Sequence, residues 1–283
     1  MFKAPMALIM AMAVSVCSGS VNAEERVRSL QVGKLTVGQG QPAIIVSTSG
    51  EDETKVLQEA EQVARTQEAD ILELRVDKLV FATDAAKVTA LGQAVRKRLN
   101  GKPLLLTFRT KPEGGEKAPD DAAYTELYQQ WLEAGFADLI DIEMRIGEAE
   151  VRKLIDFAHQ HRVATIVSYH DFNGTPSNEA MLQRLEQQAQ YGADVLKLAV
   201  MPKTPEDVNR LTSITWQMRQ RSDRPLLTMA MGGQGTVTRL SGEIYGSNLT
   251  FGSMGSASAP GQIDVKVLHQ TMAALHKANS PSQ

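Results

Sequence analysis

The chain has 283 residues, 42% of them hydrophobic and 22% charged, with 30 basic against 33 acidic side chains and a net charge of −3. That length suits one large globular domain or two small ones. The mild acidity, with no basic block interleaved with aromatics, argues against a nucleic-acid partner, and a single cysteine excludes a disulfide framework.

The first segment reads as separate from the fold. Lys3 precedes the apolar run Ala7–Val14, and Val21-Asn-Ala23 offers small or modest residues before Glu24. This predicts a secretory signal peptide over residues 1–23, cleaved after Ala23, and a periplasmic protein whose catalytic domain spans 24–283. The run is too short for a comfortable membrane span, so no stable membrane insertion is expected after cleavage. Cys17 invites a lipoprotein reading, but Val16 stands where a small residue is wanted. Cleavage would remove the only cysteine and with it any thiol nucleophile.

Leu30–Gly38 alternates around Gly33-Lys34 and predicts a small β-hairpin that closes the bottom of a barrel. From Ala43 onward, short apolar runs alternate with helical segments. The runs are 43–47, 71–76, 103–109, 138–143, 164–170, 195–199, 225–229 and a weaker 249–251. Helical periods occupy 54–67, 85–99, 121–133, 148–161, 177–191 and 205–221. Eight such units predict an α/β protein with a (β/α)8 TIM barrel. A doubly wound open sheet is the competing arrangement, because a repeat count does not prove closure. The barrel is favoured by Glu73, Arg75 and Asp77, which share one face of their strand and so suit a polar mouth.

Catalytic groups in a barrel sit at the C-terminal ends of strands. Those positions hold Ser47, Glu73, Arg75, Arg109, Glu143, His170, Lys197 and Met229, and the following loops add Glu113, Arg239, Ser258 and Gln262. Such a set suits a polar, hydroxylated anion, with arginine forks matched to a carboxylate. Lys197 lies in an apolar run where a lone charged amine would cost several kcal/mol, so it must be paired, neutralised or reacting. It is either a structural lysine paired with Asp141 or Glu143, or a nucleophile toward a ketone. His170 ends the preceding strand, at the expected level of Lys197; it is either a loop anchor or the partner in proton transfer. Together the two suggest imine chemistry.

Other patterns are weaker. Ser168, His170 and Asp171 have the composition of a hydrolytic triad without its nucleophile elbow. His159 and His161 face apart on a helix end, and no metal site is expected. Gly232-Gly-Gln-Gly235 reads as a mobile, glycine-rich loop.

At these residues the chain resembles the type I 3-dehydroquinate dehydratases, the Schiff-base-forming class. The likeness runs from about Leu30 to Leu275 and rests on motifs in the family's order. They are Ile71–Asp77, Thr107–Glu116, Ser168–Phe172, Leu196–Pro202, Thr238–Glu243, Tyr245–Ser247, Leu249–Gly252 and Ser258–Gln262. The resemblance implies that Lys197 forms an imine with the ketone of 3-dehydroquinate and that His170 removes the α-proton. Water then leaves in a syn elimination to give 3-dehydroshikimate. It implies that Glu113 orients His170 and that Arg239 holds the substrate carboxylate, with Ser258 and Gln262 on a nearby lid. Glu73, Arg75 and Arg109 would grip the hydroxyls and ketone region, and Ser47 would lie near the ligand. It also implies no cofactor, no metal and a homodimer.

Three departures stand out. The segment after Met229 lacks a lysine that relatives often carry, Tyr169 replaces an asparagine, and the leader is unlike a cytoplasmic biosynthetic enzyme. Export suggests a role in periplasmic quinate catabolism. An imine-forming aldolase on the same fold and a catalytically dead binding protein are the remaining alternatives.

Overall fold

The computed structural model describes residues 27–255 and 257–280. The signal-peptide expectation over 1–23 lies outside the described residues. Strands β1 (Leu30–Val32) and β2 (Leu35–Val37) form the antiparallel hairpin predicted around Gly33. Eight parallel strands follow: β3 (Ala43–Ser47), β4 (Ile71–Arg75), β5 (Leu104–Thr107), β6 (Leu139–Glu143), β7 (Ala164–Asp171), β8 (Val195–Val200), β9 (Leu226–Ala230) and β10 (Leu249–Ser253). A two-residue β11 (Ile263–Asp264) pairs with the end of β10.

Helices α1 (Glu53–Arg65), α2 (Ala85–Arg98), α3 (Asp121–Glu133), α4 (Glu148–Gln160), α5 (Asn178–Tyr191) and α6 (Pro205–Arg221) alternate with the strands. Their starts are written in local chemistry. Asp52, Asp84, Asp120 and Ser177 accept the first free backbone N–H groups, and Thr204 with Asp207 forms a capping box behind Pro205. After β9 come three single helical turns, α7 (Gly232–Gly235), α8 (Val237–Leu240) and α9 (Gly242–Tyr245). The described chain ends in α10 (Val265–Asn279).

Alternation along each strand sorts its side chains between two cores. Outward residues such as Leu72, Leu74, Ile140 and Ile142 pack under the helices. Inward ones form a second core of Ile45, Ile71, Leu105, Leu139, Ile166, Val195, Leu227 and Leu249, one from each strand. Val32 and Val37 of the hairpin pack into that inner core, as a plug at the strands' N-terminal ends. Two residues further along, the inward positions become Ser47, Glu73, Thr107, Asp141, Ser168, Lys197, Met229 and Phe251. The interior is therefore apolar below and mostly polar above.

The expected closed eight-stranded barrel needs correction. Pairing runs in the order β11-β10-β3-β4-β5-β6-β7-β8-β9 and stops there, leaving an open, curled sheet of nine strands with edges 13 Å apart. The break lies between β9 and β10, where one backbone bond and two side-chain bonds stand in place of a continuous ladder. Asn248 N–H donates to Leu226 O at 2.7 Å, and Asn248 Oδ1 accepts from Leu226 N–H. Ser247 Oγ then accepts from Thr228 N–H at 3.2 Å. Among the described residues no helix is long and apolar enough to cross a membrane.

Candidate active site

The polar half of the interior opens into a cavity of about 150 Å³ at the strands' C-terminal ends. Glu73, Arg75, Arg109, Glu113, His170, Lys197, Arg239, Ser258 and Gln262 all line it. Ser47 does not line it directly. Its hydroxyl donates to Glu73 Oε2 and accepts from Ser258 Oγ at 3.0 Å, so it joins the wall to the loop above.

Lys197 is 3% exposed, and its Nζ donates to Asp141 Oδ2 at 2.7 Å. It also stands 5.0 Å from the centre of the Phe251 ring. The pairing with Asp141 matches the structural reading of this lysine, while its place on the cavity wall matches the reactive one. Gln188 of α5 clamps the strand here, accepting from Lys197 N–H and donating to Lys197 O.

His170 is not at the level of Lys197, as expected from strand order. Lys197 sits opposite Ser168, and His170 sits opposite Ala199, two residues further toward the mouth. The parallel register, invisible in sequence, sets that offset. Both side chains still face one cavity. His170 Nδ1 lies 2.8 Å from Glu113 Oε2, and the Phe172 ring stacks beside the imidazole at 6.4 Å. Glu113 is delivered by a single 3₁₀ turn, Lys111–Glu113, that Gly114 ends at a φ of 89°. A Cβ on Gly114 would lie 2.4 Å from Phe172, so the turn and the ring fit only around glycine.

Arg109 ties the two halves of the site together. Its Nη1 donates to Glu143 Oε1 and to Ser168 Oγ, each at 3.0 Å, and lies 3.5 Å from Glu113 Oε2. Its Nη2 is 2.8 Å from Asp141 Oδ2, an ion pair angled away from the hydrogen-bond direction. Arg75 makes a two-pronged bond to Asp77, and Thr107 Oγ1 donates to Glu73 Oε1 at 2.8 Å. Glu143 is fully buried beneath this layer, where Thr110 and Arg145 hold it with Arg109.

The electrostatics follow from burial in a dense field of charge. Burial pushes the Glu113 carboxyl up to about 8, against the pull of Arg109. Burial, then the Arg109 and Lys197 cations, hold the His170 imidazole well below its ordinary range. Burial also opposes ionisation of Asp141, but Arg109 and Lys197 outweigh it and keep that carboxyl below the usual range. Arg239 is 1% exposed, and among the described residues no carboxylate pairs with it. Its Nη2 donates to Pro260 O and its Nη1 to Met229 Sδ, and burial brings it down to about 10. A buried guanidinium bonded to neutral acceptors, on the wall of a cavity, is chemically suited to receive an anion.

The loop over the cavity is closed on itself. Ser258 N–H donates to Gln262 Oε1, and Gln262 Nε2 donates to Ser258 Oγ. The glycine segment read as a loop is instead the turn α7, with Gly232 N–H donating to Pro260 O. Tyr169 points outward, under the Arg184 guanidinium of α5. Sequence reasoning gives Asp141 only as a pairing partner, Asp77 only as a polar strand residue and Ser168 only in a weak hydrolytic pattern, and assigns nothing to Phe172, Met231 or Phe251, which line the cavity. Alternation within the strands carries the signal for Asp141, Ser168 and Phe251.

Comparison with known proteins bears on this geometry directly. The pattern that describes the type I 3-dehydroquinases matches residues 44–279. The chain belongs to the type I 3-dehydroquinase family. Its similarity to the 3-dehydroquinate dehydratase of Salmonella typhimurium is 44% identity over 252 residues, covering 89% of this chain and all of that one. The type I 3-dehydroquinate dehydratase of Clostridium difficile, solved with covalently modified comenic acid, superposes with a TM-score of 0.86 at 40% identity. That match covers 89% of this chain and 99% of the other. The Geobacillus kaustophilus 3-dehydroquinate dehydratase gives the same score at 37% identity, covering 89% and 98%. Membership of the type I 3-dehydroquinases therefore extends over the whole curled sheet and its helices.

Proposed function

We propose that this protein is a 3-dehydroquinate dehydratase, a hydro-lyase that works through an imine on Lys197. Family membership supports the reaction, and one observation carries the mechanism. A buried amine, an imidazole backed by a carboxylate, and an arginine without an acid share one cavity. In the proposed course the Lys197 amine attacks the substrate ketone, forming a carbon–nitrogen bond as the carbonyl oxygen departs in water. The resulting iminium withdraws electrons from the neighbouring carbon. His170 Nε2 takes the proton from that carbon, and the electron pair moves toward nitrogen as an enamine. The enamine returns its pair as the β-hydroxyl leaves with a proton from His170. Hydrolysis of the imine then frees the conjugated product and the lysine. Arg239 would pair with the substrate carboxylate, and Glu73, Arg75 and Arg109 would meet its hydroxyls.

The test is to incubate the protein with 3-dehydroquinate while following enone absorbance, then to trap with borohydride and map the peptides. The expected adduct is on Lys197; a label on another residue overturns the assignment. Carbon–carbon cleavage products would favour an aldolase, and binding without turnover a dead barrel.

Residues 1–23 further support export and a role in periplasmic quinate catabolism. Fractionated cells should yield a periplasmic protein that begins at Glu24. Recovery only from the cytosol with residues 1–23 retained would overturn this reading. A homodimer is proposed with it, to be read by sedimentation.

A further inference from the structure

Asp141 stands below the cavity, fully buried, with both carboxylate oxygens engaged. Its Oδ2 accepts from Lys197 Nζ at 2.7 Å and faces Arg109 Nη2 at 2.8 Å, while its Oδ1 accepts from Ser168 Oγ at 2.5 Å. Ser168 in turn accepts from Arg109. These bonds leave Asp141 no freedom to turn, so the amine is fixed from below and its remaining face is presented to the cavity. Arg109 alone cannot hold the charge balance, because Glu143 and Glu113 also draw on it.

We propose that Asp141 is a positioning residue for Lys197, which anchors the nitrogen and whose negative charge favours the cationic imine over the neutral one. This rests on the imine reading above. When the ammonium loses a proton, attacks the ketone and expels water, the nitrogen ends as a protonated iminium. A single positive charge thus faces Asp141 at the beginning and end of the step. During elimination that charge passes into the enamine nitrogen's lone pair and returns as the hydroxyl leaves. An anion fixed beside the nitrogen stabilises the electron-poor form that makes the α-proton acidic.

Asp141→Asn keeps the shape and an accepting oxygen but removes the charge. With borohydride and 3-dehydroquinate, wild-type protein must first label Lys197; no label there defeats the imine reading itself. Given that label, the variant is expected to form the adduct at lower pH than wild type, because the free amine persists there. Its kcat should fall by about 10- to 1,000-fold with KM changed less than about 3-fold. An unchanged kcat, or an adduct profile at the wild-type pH, overturns the proposal. If Asp141→Asn does not fold, Ser168→Ala provides the test, since it loosens Asp141 without removing charge. A fall in kcat at near-constant KM is expected; equal activity overturns the proposal.

Discussion

His170 Nδ1 and Glu113 Oε2 face each other across 2.8 Å, close enough to share a proton. With both protons present, one is shared along that contact and the other sits on Nε2. Loss of one leaves Glu113 accepting from Nδ1–H and opens the Nε2 lone pair to the cavity. Because burial pushes Glu113 up to about 8, this basic form grows as pH rises toward that value. The expected kcat/KM profile climbs through neutrality; a flat profile between about pH 6 and 9 would contradict the assignment. In Glu113→Gln the amide oxygen accepts from Nδ1–H at every pH, so the climb should move to lower pH while the maximum falls. Linkage gives a second reading of the same group. A carboxyl raised in the folded state holds its proton longer folded than unfolded, so its contribution to stability falls as pH rises from the ordinary carboxylate range to about 8 and is level above it. Glu113→Gln should flatten that slope in urea melts. His170→Ala should still yield the borohydride adduct while elimination slows by about 10²- to 10⁴-fold.

The turn α7 shows how an element can matter without being long. Gly235 packs so tightly that an added Cβ would stand 2.1 Å from Ala230 O, and Arg239 follows four residues later. Gly235→Ala should therefore lower stability by about 1–3 kcal/mol through overpacking. Displacement of Arg239 should raise KM more than it lowers kcat, as steady-state kinetics would show. This region was also the least legible in sequence. The long helices and the first seven parallel strands announce themselves by periods of 3.6 and 2, and their observed ends fall within about two residues of expectation. A four-residue helix has no period to detect. α10 was legible, since Val265, Leu268 and Met272 have helical spacing, yet it is absent from the predicted elements. Most residues that line the cavity could be read because strand ends identify them. The offset of His170 from Lys197 could not, because it depends on parallel register.

The molecule as a whole is held by a sheet whose ladder fails at one seam. Ser247 is 3% exposed, and its hydroxyl receives Thr228 N–H there while bonding to Leu226 O and Leu249 O. Ser247→Ala strands a buried donor, so a loss of about 1–3 kcal/mol is expected. A melting temperature lowered by a few degrees would show it; no change would mean the seam tolerates the loss.

The chain carries a net charge of −3, yet among the described residues no acid stands beside the Arg239 guanidinium on the cavity wall. A buried guanidinium on a cavity wall attracts small anions from solution. Citrate or phosphate in the buffer should delay thermal unfolding and compete with substrate, inflating the apparent KM. Arg239→Ala should abolish both effects, which makes the choice of counter-ion a variable in every assay of this enzyme.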